Sequence, residues 1–127
     1  MEILSIMSKY KIIFYRFLFF SALISIFIIA VLPSEKLSTT MKINDILNHS
    51  AAFITLSFLF SLSFKKTKSL YLFVSLAFYG ILIETVQYFL PWRSCDLKDF
   101  LVDISAIIIF ILINKLYKWR IKEFDRN

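Results

Sequence analysis

Four stretches of this chain are each apolar for long enough to cross a lipid bilayer, and that single property limits the folds open to it. A spanning helix needs about 20 predominantly apolar residues. The first stretch runs from about Ile12 to Leu32; its part from Phe17 onward carries no charge, and Pro33 closes it. The second runs from about Ile46 to Phe64. The third runs from about Ser69 to Leu90, interrupted by Glu84 and closed by Pro91, and the fourth from about Asp99 to Tyr117, with Asp103 inside it. Lipid offers no partner to backbone N–H and C=O groups, so such segments are helices and not open strands. The expectation is an all-α integral membrane bundle of four transmembrane helices, one domain over residues 1–127. Composition agrees: 59% of the residues are hydrophobic, against roughly 45–50% in a soluble domain. With Cys95 as the single cysteine, an intrachain disulfide and a cysteine-cluster zinc site are both excluded.

Lysine and arginine set the expected orientation. Lys9, Lys11 and Arg16 precede the first span, Lys65, Lys66 and Lys68 lie between the second and third, and Lys115, Lys118, Arg120, Lys122 and Arg126 follow the fourth. Only Lys36, Lys42, Arg93 and Lys98 fall on the other side. Both termini are therefore expected in the cytoplasm, with loops 33–45 and 91–98 facing outward, in a multi-pass protein of the plasma (inner, cytoplasmic) membrane. The basic N-terminal segment resembles the n-region of a signal peptide, but no small-residue cleavage site follows the apolar run; an uncleaved signal anchor is the expected form. The net charge of +6 then reads as a topology signal and a contact to anionic membrane lipids. Nucleic acid is not an expected partner, because the basic residues flank helix ends and no reading motif accompanies them.

Ionisable residues inside spans are costly and mark candidate sites. His49 lies three residues into the second span from its outer end, Asp103 four residues into the fourth, and Glu84 six residues before the outer end of the third. At the helical rise, all three sit about 5–9 Å below the same interface. Gly80, Glu84, Gln87, Tyr88 and Pro91 follow three- and four-residue steps and are expected on one face, where Gly80 would admit a close neighbour. Asp99 and Asp103 are four apart, as are Asp45 and His49. Arg93 is placed to fold back toward Glu84, Asp99 or Asp103. The candidate ligand-binding set is His49, Glu84, Gln87, Arg93, Asp99 and Asp103. For Asp45, Asp96 and Asp99 taken alone, a structural role is the expectation.

These residues resemble the VanZ-like family of small membrane proteins. The run Asp45-Ile46-Leu47-Asn48-His49-Ser50-Ala51-Ala52-Phe53 resembles the family's D-K-x-x-H-x-x-x-[FY], and Gly80 to Arg93 is similar to its G-x-x-x-E-x-x-Q-x-x-x-P-x-R. The likeness continues from Asp99 toward the family's D-x-x-x-N-x-x-G. Ile46 stands where Lys is usual, Asp103 where Asn is usual and Ala106 where Gly is usual. The resemblance implies the four-span fold and an envelope location. Through the family's namesake it also implies an association with resistance to the glycopeptide teicoplanin.

Three functions compete. In the first, the protein binds or shields an amphiphilic, lipid-linked envelope ligand or a glycopeptide antibiotic at the outer leaflet, where Arg93 would hold an anionic head. Tyr88 and Trp92 are expected at the membrane interface, Trp92 as an ordinary aromatic-belt residue. In the second, an intramembrane enzyme uses His49 and Glu84 as acid and base on an envelope lipid. A metal on His49, Glu84 and Asp103 belongs with that reading, but one histidine and no H-E-x-x-H pair leave the expectation at no metal and no cofactor. Cys95, in an outward loop with no base beside it, is not an expected nucleophile. The third function is a transporter component, which four spans without an internal repeat or a broken helix disfavour. The sequence does not give the oligomeric state.

Overall fold

A computed structural model describes residues 2–33, 45–93 and 97–126, with the side chains of residues 2–5 and of Asp45 outside that description. Lys36, Lys42, Cys95 and Asp96 also lie outside the described residues. The chain forms four helices: α1 (Glu2–Val31), α2 (Asp45–Ser63), α3 (Ser69–Tyr88) and α4 (Leu97–Phe124). Each contains a segment long and apolar enough to cross a membrane, and no strand occurs among the described residues. The protein is an all-α, multi-pass bundle.

Two helices extend past the lengths expected from hydropathy. α1 begins at Glu2 and not near residue 12, and α4 runs from Leu97 to Phe124. Apolar length sets how much of a helix lipid can cover, whereas backbone hydrogen bonding continues until a breaker intervenes. The segments around Lys9 and Lys118 contain no glycine or proline, so nothing interrupts them. α3 ends two residues early. The Phe89 N–H turns to Val86 O at 3.1 Å and the Leu90 N–H to Gln87 O at 3.0 Å. This tightened last turn precedes Pro91, whose ring disfavours helical backbone at the residue before it.

Side-chain contacts fix the directions. Arg16 in the first half of α1 meets Ser63 at the end of α2, and Gln87 at the end of α3 meets Ala30 at the end of α1. His49 near the start of α2 meets Asp103 near the start of α4. Neighbours in sequence are therefore antiparallel. One end of the bundle collects the start of α1, the α2–α3 connection and the end of α4, with their lysines and arginines. The other end collects His49, Glu84, Asp99 and Asp103. α2 lies between α1 and α4 and makes its largest contacts with these two.

The polarity is the reverse of a soluble domain. Phe17, Ile24, Phe58, Phe78 and Leu112 point outward, while Ser57, Ser63, Glu84, Gln87 and Asp103 are buried. Between them sits a core of Phe19, Phe53, Leu56, Phe60, Leu72, Leu76, Ile83, Ala106 and Ile107. Phe19 meets Phe60 and Phe64 edge to face, with ring centroids 5.6 and 5.9 Å apart, an arrangement that the ring quadrupoles favour. Several hydroxyls on the spans are satisfied locally: Ser50, Ser63, Thr85 and Ser105 each donate to the carbonyl four residues back, at 2.7 Å. Tyr79 donates to Leu23 O at 2.6 Å and ties the middle of α3 to α1.

At Gly80, α3 packs closely against its neighbours. A Cβ there would lie 3.4 Å from Asp103 Oδ2 and 3.5 Å from Phe100 and Phe53. One methyl fits in ordinary contact and nothing larger does. We expect Gly80→Ala to unfold within about 1 kcal/mol of wild type and Gly80→Leu to cost about 1–3 kcal/mol by overpacking. Thermal unfolding of the detergent-solubilised protein measures both.

Candidate functional site

The polar end is built on four carboxylate and imidazole side chains from three helices. His49 sits one turn into α2, where its ring faces α4. Its Nδ1 lies 2.9 Å from Asp103 Oδ1, and Asp103 is only 1% exposed. Where Asp103 is ionised it can only accept, so Nδ1–H then donates and Nε2 is left as the ring's second polar atom. Nε2 points toward Asp99 Oδ2 at 3.9 Å. Asp99 and Asp103 share a face of α4 because they are one turn apart. Glu84 reaches the same layer from α3, and one ligand-type atom each from His49, Glu84 and Asp99 lie within 4.8 Å of one another. Glu84 is buried, while the His49 and Asp99 side chains are half-buried.

Gln87, Trp92 and Arg93 serve a different partner. Gln87 Nε2 donates to Ala30 O at 3.0 Å, and Trp92 Nε1 to Val31 O at 3.1 Å. Arg93 donates from Nη2 to Ile29 O at 2.9 Å and from Nε to Leu32 O at 3.1 Å. The last four carbonyls of a helix have no intrahelical donor, and their partial negative charge favours a cation beside them. The stretch after Glu84 thus caps α1. Arg93 was expected to fold toward Glu84, Asp99 or Asp103; its guanidinium instead donates to α1. The end of α1 carries a field of carbonyls at bonding distance, which a planar guanidinium can engage with two donors at once.

Between α1, α2 and α3 a cavity of about 220 Å³ opens at this end. Ile26, Ile29, Ala30, Ala51, Ala52, Phe53 and Ile83 form apolar walls, and Asn48, His49, Gln87 and Arg93 supply the polar groups. Glu84 lines a separate hollow with Tyr88, Leu97 and Phe100. His49 is therefore common to the cavity and to the carboxylate cluster.

The six candidate residues divide accordingly. His49, Glu84, Asp99 and Asp103 come together, whereas Gln87 and Arg93 line the cavity and hold α1. The expected shared face of α3 holds for Gly80, Glu84 and Gln87, which are buried with Ile83. It does not extend to Tyr88, which is 72% exposed, or to Pro91, which is exposed beyond the helix end. Tyr88 is still helical and simply falls on the outer side of α3, whereas Pro91 lies past the tightened turn that ends the helix. Trp92 is exposed, as expected of an interfacial aromatic, but its indole also caps Val31. Sequence reasoning missed Asn48 and the carbonyls of α1. The carbonyls have no side-chain signature, and the only hint of them was a helix ending just before Pro33.

The fold and its buried polar layer define a small multi-pass helical membrane protein. A family model described as VanZ/LLP1 matches residues 7–118, and the chain belongs to this family. No curated protein and no solved structure matches it.

Interhelical hydrogen bonds in membranes average about 0.6 kcal/mol, with model peptides giving about 1–2 kcal/mol. The short contact between His49 and Asp103, at 2.9 Å, belongs at the upper end. A double-mutant cycle with His49→Ala and Asp103→Ala should give a coupling energy of about 1–2 kcal/mol. Coupling indistinguishable from zero in equilibrium unfolding would remove this contact as a determinant of the site.

Proposed function

We propose that this VanZ-like membrane protein binds, without chemical change, the head of an amphiphilic envelope ligand at the outer leaflet of the plasma membrane, with both termini in the cytoplasm. The ligand class is a lipid-linked cell-wall molecule or a lipid-bearing glycopeptide of the teicoplanin type. The cavity among α1, α2 and α3 carries the reading. Apolar walls with a few convergent polar groups suit a molecule with an acyl chain and a polar head. Arg93 uses two of its five N–H donors on α1, so the same guanidinium has donors to offer a phosphate or carboxylate. Asn48, His49 and Gln87 would orient the head. The concentration of lysine and arginine at the opposite end supports the orientation, and family membership supports the envelope setting.

A second reading is favoured by one observation. The His49–Asp103 pair fixes an imidazole with Nε2 outward, the arrangement of a general base held by a carboxylate. An intramembrane enzyme with Glu84 as the partner acid would use it. The two readings separate on Glu84→Gln, which keeps hydrogen bonding and removes acid–base chemistry: binding is retained in part, catalysis is lost.

The test is teicoplanin and vancomycin susceptibility in a sensitive Gram-positive host that expresses wild type, Arg93→Ala or Ala51→Phe at matched membrane levels. Ala51 is exposed and lines the cavity, so a phenylalanine there fills the space without disturbing the cap on α1. Selective teicoplanin protection by wild type, lost in both variants, is the expected result. If wild type inserts correctly and gives no protection, the glycopeptide reading is wrong. The lipid-linked reading then requires an envelope lipid that co-purifies with wild type and not with Ala51→Phe; absence of such a lipid overturns it as well.

A further inference from the structure

Outside the cavity, the chemistry most in need of an account is the carboxylate cluster around His49. We propose that His49 Nε2, Glu84 and Asp99 bind one divalent transition-metal ion of the zinc type, and that Asp103 is the positioning residue that orients the imidazole for it. The proposal rests on the geometry of these four side chains and not on the headgroup reading.

The ligand set comes first. One nitrogen and two carboxylate oxygens, one from each of three helices, lie within 4.8 Å of one another. Around a zinc-type ion at about 2.0–2.2 Å from each ligand, neighbouring ligand atoms sit about 3.4 Å apart in tetrahedral geometry. His49 Nε2 and Asp99 Oδ2 are at 3.9 Å, so that pair needs to close by only about 0.5 Å. Rotation about the terminal torsions of Glu84 and Asp99, which are broad for carboxylates, supplies the rest.

The second observation is independent of those distances. A ligating histidine almost always gives its other ring N–H to a carboxylate, which fixes the tautomer and makes the ligating nitrogen more basic. Asp103 makes this contact at 2.9 Å from a position 1% exposed. Its Oδ2 has no hydrogen-bond partner among the described residues. A buried carboxylate with one oxygen unsatisfied is costly, so its placement answers to His49 and not to its own solvation.

Charge gives the third line. Three carboxylates, Glu84, Asp99 and Asp103, converge on one imidazole. A dication beside neutral His49 would offset two of these three carboxylates, with Asp103 retaining its contact to the imidazole. A nitrogen-and-oxygen set of this kind suits zinc, iron(II), cobalt(II) or manganese(II) over soft copper(I). His49 and Asp99 are half-buried, at 18% and 19% side-chain exposure, which leaves an access path from the polar end. Three protein ligands also leave a coordination position for water or an anionic oxygen. Because His49 also lines the cavity, that position would adjoin a bound head.

The experiment uses the full chain, purified in nanodiscs, stripped with a chelator and titrated with Zn²⁺ and separately with Co²⁺. Metal content is read by mass spectrometry and coordination by the visible spectrum of Co²⁺. Wild type should take up one ion per chain saturably, with a tetrahedral or five-coordinate Co²⁺ spectrum. His49→Ala should abolish uptake, and Glu84→Gln and Asp99→Asn should each weaken it by at least about tenfold. Asp103→Asn should weaken affinity by roughly 10–100-fold and shift the Co²⁺ spectrum, while the metal-free protein keeps the helix content of wild type. Thr85→Ala, exposed on α3, serves as the unchanged control. Folded wild type that takes up no saturable ion overturns the proposal, as does uptake that survives in both His49→Ala and the Glu84→Gln/Asp99→Asn double variant. Neither result bears on the headgroup reading, whose variants, Arg93→Ala and Ala51→Phe, lie outside the ligand set.

Discussion

The last turn of α1 presents carbonyls that no donor within the helix can reach, and the polar end of the bundle is organised around them. In water such groups would be hydrated. Near a bilayer they must be met from within the protein. Gln87, Trp92 and Arg93 meet those of Ile29, Ala30, Val31 and Leu32. This requires α3 to end beside α1, and the tight turn before Pro91 to bring the next two residues back across it. The opposite end repeats the device in smaller form: Arg16 donates to Ser63 O at 3.4 Å and lies over the Phe64 ring at 5.2 Å. An arginine at each end thus covers the C-terminus of a neighbouring helix, where the helix dipole favours a cation. The bundle is locked in register by side chain to backbone contacts that do not depend on apolar packing, which lipid itself does little to drive.

With α1 and α3 held together, the remaining faces of α2, α3 and α4 are free to assemble the carboxylate cluster. Adhesion alone is a poor explanation for it. A membrane hydrogen bond returns about 0.6 kcal/mol on average, whereas an aspartate at the centre of a span costs about 2.5–3.5 kcal/mol. The cluster avoids most of that cost by lying within a turn or two of the helix ends, within reach of water. Even so, Asp103 is fully enclosed. Gly80 makes this possible, since the space a side chain would take is bordered by Asp103 Oδ2, Phe100 and Phe53. Asp103 stands where the resembling family pattern usually has asparagine. In this chain the position therefore brings a carboxylate to His49 in place of an amide.

His49 is the hinge between two chemistries. On one side it borders an apolar cavity suited to an acyl chain and a polar head; on the other it faces Asp99 and Glu84. α3 separates the two, with Gln87 toward the cavity and Glu84 toward α4. An anion held in the cavity and a cation held by the cluster would lie on adjacent sides of one imidazole and attract each other.

The sequence by itself determined the four helices, the single layer of polar residues and membership of the layer for His49, Glu84 and Asp103, with Asp99 one turn from Asp103 on the same helix. Apolar length and helical rise suffice for these, because lipid permits few structures and depth along a helix is a matter of counting. It did not determine helix ends such as the early start of α1, which hydropathy does not see. Nor did it determine partners within the layer. Arg93, a cation beside three carboxylates in any count of depth, bonds to the backbone of α1. That backbone has no side-chain signature, and which helix lies beside which is decided only by packing. The same packing chose Asp103 to hold the His49 ring and Asp99 to face its other nitrogen. Two aspartates one turn apart are equivalent in sequence and become distinct only when α2 settles against α4.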